Sequence, residues 1–230
     1  MASQGSFIAI EGIDGSGKRT QAELLGRAFA GRRIPYVPFS FPRYGSSFGK
    51  LIASFLNGEF GKLEAIDPHL SALLYAGDRF EAKVELEAAL ASGKTILTDR
   101  YVGSNLAHQT ARMPPERRTE FMVWLRQLEY GIYGLPVEDL VVYLHLGAAE
   151  AQKLIGKKAA REYTALRHDL QESNLTHLER AVEVYDGLAK GANWVPIECF
   201  DARAGKLKSV EEIHKAVLAA VDSVLHLTVS

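Results

Sequence analysis

Residues 12–20 read Gly-Ile-Asp-Gly-Ser-Gly-Lys-Arg-Thr, directly after a short apolar run and directly before the helix-like Gln21-Ala22-Glu23-Leu24-Leu25. A glycine followed five residues later by Gly-Lys is the spacing of a loop that wraps phosphate. The glycines let successive backbone N–H groups turn inward, the following helix directs its positive end at the anion, and Lys18 adds a full charge. Other Gly-Lys pairs occur in the chain, but only Gly17-Lys18 has both the earlier Gly12 and an apolar run, Phe7 to Ile10, ahead of it. A glycine-rich turn carrying a solvated lysine would need neither. The segment suits a nucleoside triphosphate, with Gly12, Asp14, Gly15, Ser16, Gly17, Lys18, Arg19 and Thr20 as its candidate contacts.

One position departs from the pattern. The residue after the lysine is ordinarily Ser or Thr, whose hydroxyl binds Mg²⁺, and here it is Arg19. Thr20 follows, but one step along a helix turns a side chain by about 100°, so Thr20 does not simply take over. Three consequences stay open: the metal relies on other ligands, Arg19 itself supplies part of the positive charge, or the loop binds nucleotide without supporting a reaction.

A second group with chemical potential is Asp99-Arg100-Tyr101, followed by Val102-Gly-Ser104-Asn105-Leu-Ala-His108-Gln109. In open α/β sheets ligands bind beyond the carboxyl ends of the strands, where this acid–base pair would project. If the following segment is helical, Tyr101, Asn105 and His108 fall at i, i+4 and i+7 on one face, and a phenol, an amide and an imidazole can hydrogen-bond a base and sugar. The plainer reading is a solvated helix face beside a surface ion pair. No Asn-Lys-x-Asp guanine reader occurs, which argues against a GTP-binding switch and leaves the small-molecule kinases.

Five apolar runs must position these residues: Phe7 to Ile10, Tyr36 to Phe41, Thr95 to Thr98, Leu140 to Leu146 and Trp194 to Phe200. They are nearly continuous rather than alternating, as in strands covered on both faces, and helix-like stretches separate them, so the expected fold is α/β with a parallel sheet. Asp67-Pro68 reads as a helix start, Gly93 as the end of that long helix, and Ser209-Val-Glu-Glu212 as a capping box before the last one. Gly156 to about Arg167 is charged and weakly periodic, and reads as a mobile surface segment.

The 230 residues, 47% apolar and without a linker-like stretch, suit one domain spanning 1–230. Lys+Arg 27 against Asp+Glu 28 gives no basic field to favour nucleic acid or anionic lipid. No leader pattern and no membrane-length apolar run is apparent, and the lone Cys199 fits a reducing compartment, so the expectation is a soluble, unprocessed, cytoplasmic protein.

The chain resembles the thymidylate kinases across nearly its whole length. The resemblance runs from Ile10-Glu-Gly-Ile-Asp-Gly-Ser-Gly-Lys through Phe41-Pro-Arg-Tyr and Tyr75-Ala-Gly-Asp-Arg79 to Asp99-Arg-Tyr-Val-Gly-Ser-Asn105. The order and spacing of these strings are more specific than the phosphate loop alone. The resemblance implies a P-loop fold with five parallel strands, helices on both faces and a lid at about 156–167. It also implies transfer of a phosphoryl group from ATP to thymidylate, with Mg²⁺, in a homodimer.

The same resemblance assigns roles. Asp14 would meet the sugar 3′-hydroxyl and help organise the metal's water shell, and Asp99 would hold Mg²⁺ directly or through water. Arg100 would bind the acceptor phosphate. Arg43 would grip it too, although the family often places that arginine one position later, where Tyr44 stands. Tyr75 would stack on thymine and Arg79 would bond the base. Asn105 would read the pyrimidine edge, and His108 falls where some members carry a tyrosine near the sugar 2′ position. Family members with glycine at the position of Gly15 place the catalytic arginine in the lid. Among Lys157, Lys158, Arg161 and Arg167, Arg161 is favoured and then Arg167, because a forked guanidinium suits a spread phosphoryl charge. Asp169-Leu-Gln-Glu172 resembles the helix after the lid, while His145 and Cys199 read as structural. The rivals are a kinase of another deoxynucleotide or of a nucleoside, against which Arg43, Arg79 and Arg100 argue for a monophosphate, and a nucleotide-binding protein that has lost transfer activity.

Overall fold

A computed structural model of the chain describes residues 5–155 and 175–225. The lid expectation, with Lys157, Lys158, Arg161, Arg167, Asp169 and Glu172, lies outside the described residues.

The five apolar runs become β1 (Phe7–Glu11), β2 (Tyr36–Ser40), β3 (Thr95–Asp99), β4 (Leu140–His145) and β5 (Trp194–Glu198). They form one sheet in the order β2-β3-β1-β4-β5, and every neighbouring pair is parallel. Helices connect them: α1 (Lys18–Gly31), α2 (Ser47–Leu56), α3 (Pro68–Ala91), α4 (Val102–Thr110), α5 (Arg118–Arg126), α6 (Ala148–Ile155), α7 (Leu175–Leu188) and α8 (Val210–Leu225). The central strands are covered on both sides, with Phe7, Ile8, Ala9 and Ile10 fully buried. Pro38 and Pro196 fall in β2 and β5, the two edge strands, where a missing N–H breaks no ladder.

The helix signals act as the sequence indicates. Asp67 accepts from His69 N at 2.7 Å with Pro68 in the first turn of α3, and Gly93 takes φ 74° just past its end. Ser209 and Glu212 exchange both capping-box bonds, at 2.7 and 3.1 Å. Each run ends within two residues of its strand's end, and the largest difference, two residues, is at the fifth. The fifth run leaves the sheet after Glu198, and Phe200–Asp201 (β6) pairs antiparallel with Lys206–Leu207 (β7). Asp201 turns that hairpin by accepting from Arg203 N and Ala204 N.

The topology decides where a ligand can sit. The chain leaves β1 for β2 and β3 on one side and crosses to β4 on the other, so the loop after β1 opens into a crevice at a switch point. Register places Ile10 beside Asp99. A second apolar cluster of Ile52, Phe55, Leu56, Leu63 and Ile66, with Tyr44, Leu74 and Tyr75 against it, lies apart from the main core. Arg112, just past α4, ties it down: its guanidinium donates to Ser71 Oγ, Gln109 Oε1 and the carbonyls of Leu63 and Ile66. Replacing Arg112 with Ala leaves those carbonyls unpaired and is expected to cost about 2 kcal/mol or more in urea-melt stability.

Candidate active site

Two strand ends and the turns that follow them build the site. After β1 the chain enters the glycine loop with Gly12 at φ 144°, Gly15 at φ 89° and Gly17 at φ 91°. A Cβ on Gly12 would stand 2.7 Å from the Leu144 carbonyl oxygen, and one on Gly15 would stand 2.7 Å from that of Ala151 in α6. Gly15 is therefore required by packing against the helix that leads towards the expected lid, besides its conformation. Lys18 is buried and curls back, its Nζ donating to the Ile13 carbonyl at 2.9 Å.

After β3, Arg100 adopts φ 67°, a left-handed conformation that ordinary residues avoid. Its N–H donates to Ile10 O at 3.0 Å, and its carbonyl accepts from Thr98 Oγ1 at 2.7 Å. The turn throws its guanidinium back over the loop. Nη2 meets Asp14 Oδ1 at 2.7 Å, while Nη1 lies 3.0 Å from Ser104 Oγ, 3.4 Å from Gly12 O and 3.5 Å from His108 Nε2. Burial works against the Arg100 charge, but Asp14 first, then Tyr185, Asp99 and Glu11, outweigh it, so its pKa stands well above the ordinary arginine value. The expected acceptor arginine and the phosphate loop are thereby brought together.

Asp99 Oδ1 and Ser16 Oγ are buried with no hydrogen-bond partner. Burial raises the Asp99 pKa, opposed by Lys18 and Arg100 and reinforced by Glu11 and Asp14. Two orphaned oxygen donors beside a phosphate loop fit a hard cation such as Mg²⁺. Among the described residues no group of three His, Cys, Asp or Glu side chains could hold a metal unaided.

Several expectations need correction. Arg19 points outward, 87% exposed, in an i,i+4 pair with Glu23 at 3.0 Å, and Thr20 is exposed too. One and two steps past Lys18, the helix turn carries both side chains away from the loop, and the Arg19 charge is paired with Glu23 instead. Tyr101 does not share a face with Asn105 and His108. It stands before the first turn of α4, its ring packs on Phe7 and Phe41, and its hydroxyl donates to Pro136 O. The guanidinium of Arg43 is turned to carboxylates of α3, with Nη1 2.8 Å from Glu85 and Nε 3.9 Å from Asp78.

Asn105 and Arg79 do come together, through a residue that sequence reasoning missed. Glu129, in the π-helical stretch Gln127–Ile132, takes Arg79 Nε and Nη2 at 2.5 and 2.6 Å and accepts from Asn105 Nδ2 at 2.8 Å. The pair is wholly buried, and Glu129 outweighs desolvation to raise the Arg79 pKa. Asn105 Oδ1, on the same cluster, is buried with no hydrogen-bond partner. Tyr75 packs against the second apolar cluster, with Phe55 edge-on at 6.4 Å.

His108 lies between Arg100 and His177 of α7. Arginine only donates, so His108 Nε2 accepts, and its proton sits on Nδ1, which donates to His177 Nε2 at 3.3 Å. Burial, then Arg100 and His177, push the His108 pKa well below its ordinary value. Burial, with Arg112, lowers that of His177 to about 4. His145 and Cys199 keep structural roles: His145 Nδ1 pairs with Glu198 at 2.7 Å, and burial pushes the Cys199 thiol up to about 12.

A family model described as thymidylate kinase matches residues 10–216. The chain belongs to the thymidylate kinase family. It is 35% identical over 207 residues to the thymidylate kinase of Mycobacterium tuberculosis (strain ATCC 25618 / H37Rv), covering 87% of this chain and 94% of that one. It is 30% identical over 220 residues to the thymidylate kinase of Homo sapiens, covering 94% and 89%. The fold is also that of the thymidylate kinase from Candida albicans, with a TM-score of 0.76 at 20% identity over 97% of this chain and 93% of that chain. The P-loop α/β fold, the family and the assignment as a nucleotide-phosphorylating enzyme all stand as the sequence suggested. Glu11, Glu129, His177 and Tyr185 were not foreseen as site residues. Of these only Glu11 had a signal, being a carboxylate that ends an otherwise apolar strand.

The buried His177 gives a pH dependence of known sign. Its folded pKa of about 4 lies below the ordinary 6.5, so below pH 6.5 the unfolded chain takes up a proton that the folded chain refuses. Stability is lost as pH falls from 6.5 towards 4. Acidification from pH 7 to 5 is expected to cost the wild type about 1–2 kcal/mol more than His177→Gln, as read by urea melts at each pH.

Proposed function

We propose that the protein transfers the γ-phosphoryl group of ATP to thymidylate, giving ADP and thymidine diphosphate for thymidine triphosphate synthesis. The observation that carries this reading is the Asp14–Arg100 pair, which holds a cation suited to the acceptor phosphate against the loop suited to the donor triphosphate. A phosphate oxygen of thymidylate attacks the γ-phosphorus, the bond from that phosphorus to the β,γ-bridging oxygen breaks, and ADP leaves. The protein's part is to bring two anions in line and neutralise the charge on the moving group.

In this reading Gly12, Gly15, Ser16, Gly17, Lys18, Arg19 and Thr20 cradle ATP, the last two through backbone N–H groups. Asp14 holds Arg100 and meets the sugar, and Arg100 binds the acceptor phosphate. Asp99 and Ser16 are the groups that would hold Mg²⁺, which supplies neutralising charge when bound. Tyr75 stacks on the base, Arg79 and Asn105 read it, Asn105 through the Oδ1 that has no partner in the cluster, and His108 lines the sugar. Arg43 would have to leave Glu85 to reach the acceptor phosphate. Arg161 remains the proposed lid arginine. The whole chain acts as one unit, and closure excludes water from the reaction. A homodimer is proposed too, supported by Leu51 of α2 and Leu73, Phe80 and Val84 of α3, large apolar side chains left exposed on packed neighbouring helices. The cytosol is the proposed location, supported by the single cysteine. No described helix is long and apolar enough to cross a membrane.

The test is ADP release with ATP and thymidylate, with and without Mg²⁺, beside deoxyuridylate, uridylate, deoxycytidylate and thymidine. Metal-dependent turnover largely confined to thymidylate is expected. ATP binding without turnover on any acceptor would contradict the proposal and support the inactive alternative.

A further inference from the structure

One buried charge next to the site has no task in the reaction described above. Glu11 ends β1, immediately before Gly12, and is 0% exposed. Its carboxylate accepts four hydrogen bonds from neutral donors. Oε1 receives Tyr101 N at 2.7 Å and Ser104 N at 3.0 Å, and Oε2 receives Ser104 Oγ at 2.6 Å and the Tyr185 hydroxyl at 2.9 Å. Two of these donors are backbone N–H groups at the start of α4, where a helix has no partners of its own and favours negative charge. The other two are hydroxyls, one from α4 and one from α7.

The arrangement has a direction. Ser104 has a single hydroxyl proton, and the short bond to Glu11 commits it there, which leaves the lone pairs of Oγ to receive Arg100 Nη1 at 3.0 Å. The Tyr101 N–H that Glu11 holds belongs to the residue after the left-handed Arg100, so the same carboxylate pins the far side of that turn. An apolar residue at position 11 could fill the space but would strand four donors. An amide would present an N–H₂ to some of them. Only an acceptor-only group satisfies all four and sets the polarity of Ser104.

We propose that Glu11 is a positioning residue for phosphoryl transfer, which fixes the turn at Arg100 and the orientation of Ser104 and through both aims the Arg100 guanidinium at the acceptor phosphate. This rests on the reading of Arg100 given under the proposed function. The Glu11 charge also favours the charged form of Arg100. Glu11 is fully buried among protein donors and acts only through its neighbours.

The test compares Glu11→Gln with the wild type in the full chain, using the thymidylate assay. Glutamine keeps the shape but forces Ser104 to turn its proton. Turnover with thymidylate is expected to fall about tenfold to a hundredfold, the loss associated with a small misplacement of a catalytic group, with KM for ATP unchanged within about twofold. In an Arg100→Lys background, which has no fork to aim, the Glu11→Gln loss should largely vanish. If Glu11→Gln does not fold, Ser104→Ala decides, since it leaves the carboxylate its other three bonds and should show the same pattern. A lowered melting temperature with kcat unchanged, or an equal loss in both Arg100 backgrounds, would overturn the proposal. Should the wild type bind thymidylate without turning it over, calorimetry replaces the assay: the variant must weaken thymidylate and spare thymidine. A wild type that binds no thymidylate contradicts the functional reading itself, whereas a working wild type beside an unimpaired variant contradicts this proposal alone.

Discussion

Charges taken out of water must be paired, and at the carboxyl ends of β1 and β3 that requirement organises the molecule. Asp14, Asp99 and Glu11 stand near Lys18 and Arg100 in a space that the sheet and the helices over it largely close to solvent. The link between Arg100 and Asp14, 2.7 Å long, joins the loop that follows one strand to the turn that follows its neighbour. Register makes this possible: Ile10 pairs with Asp99, and the Arg100 N–H continues the ladder to Ile10 O. A left-handed backbone at a non-glycine residue is a cost of about 1–3 kcal/mol. It is offset here by the contacts the returned guanidinium makes with Asp14 and Ser104.

The proposed acceptor side depends on the same constraint in a second form. Arg79 would be intolerable so deep in the structure without Glu129, and Glu129 would be intolerable without Arg79 and Asn105. Their mutual satisfaction fixes α3, α4 and the π-helical stretch to one another. It also leaves one buried amide oxygen, Asn105 Oδ1, without a partner. The separate apolar cluster carrying Tyr44 and Tyr75, fastened through Arg112, adds a wall that rests on its own packing more than on the sheet.

What was legible from sequence follows from which forces are local. Strand burial, caps and the glycine loop are written in adjacent residues, and β1, the cap at Asp67 and the box at Ser209 appear where those residues place them. Bringing Arg100 to the phosphate loop was legible through the rule that sites lie beyond strand ends. The orientation of side chains was not. Arg19 turns to Glu23 and Arg43 to Glu85 because the nearest opposite charge on a helix face decides, and Glu85 lies 42 residues away from Arg43 in the chain. Glu129 and His177 carry no motif at all, being selected by long-range burial. Tyr101 looked like a site residue by helical spacing, yet the helix begins one residue later and the ring belongs to the core.

The central claim is that Arg100, preset by Asp14, meets the phosphate of the acceptor rather than its base or sugar. Calorimetric titration of thymidylate and thymidine into the wild type and Arg100→Lys tests it without requiring turnover. The account predicts that the wild type prefers thymidylate by at least about tenfold, the worth of a charge-assisted contact, and that the substitution removes most of that preference while leaving thymidine affinity nearly unchanged. An equal loss for both ligands, or a preference that survives the substitution intact, would contradict it.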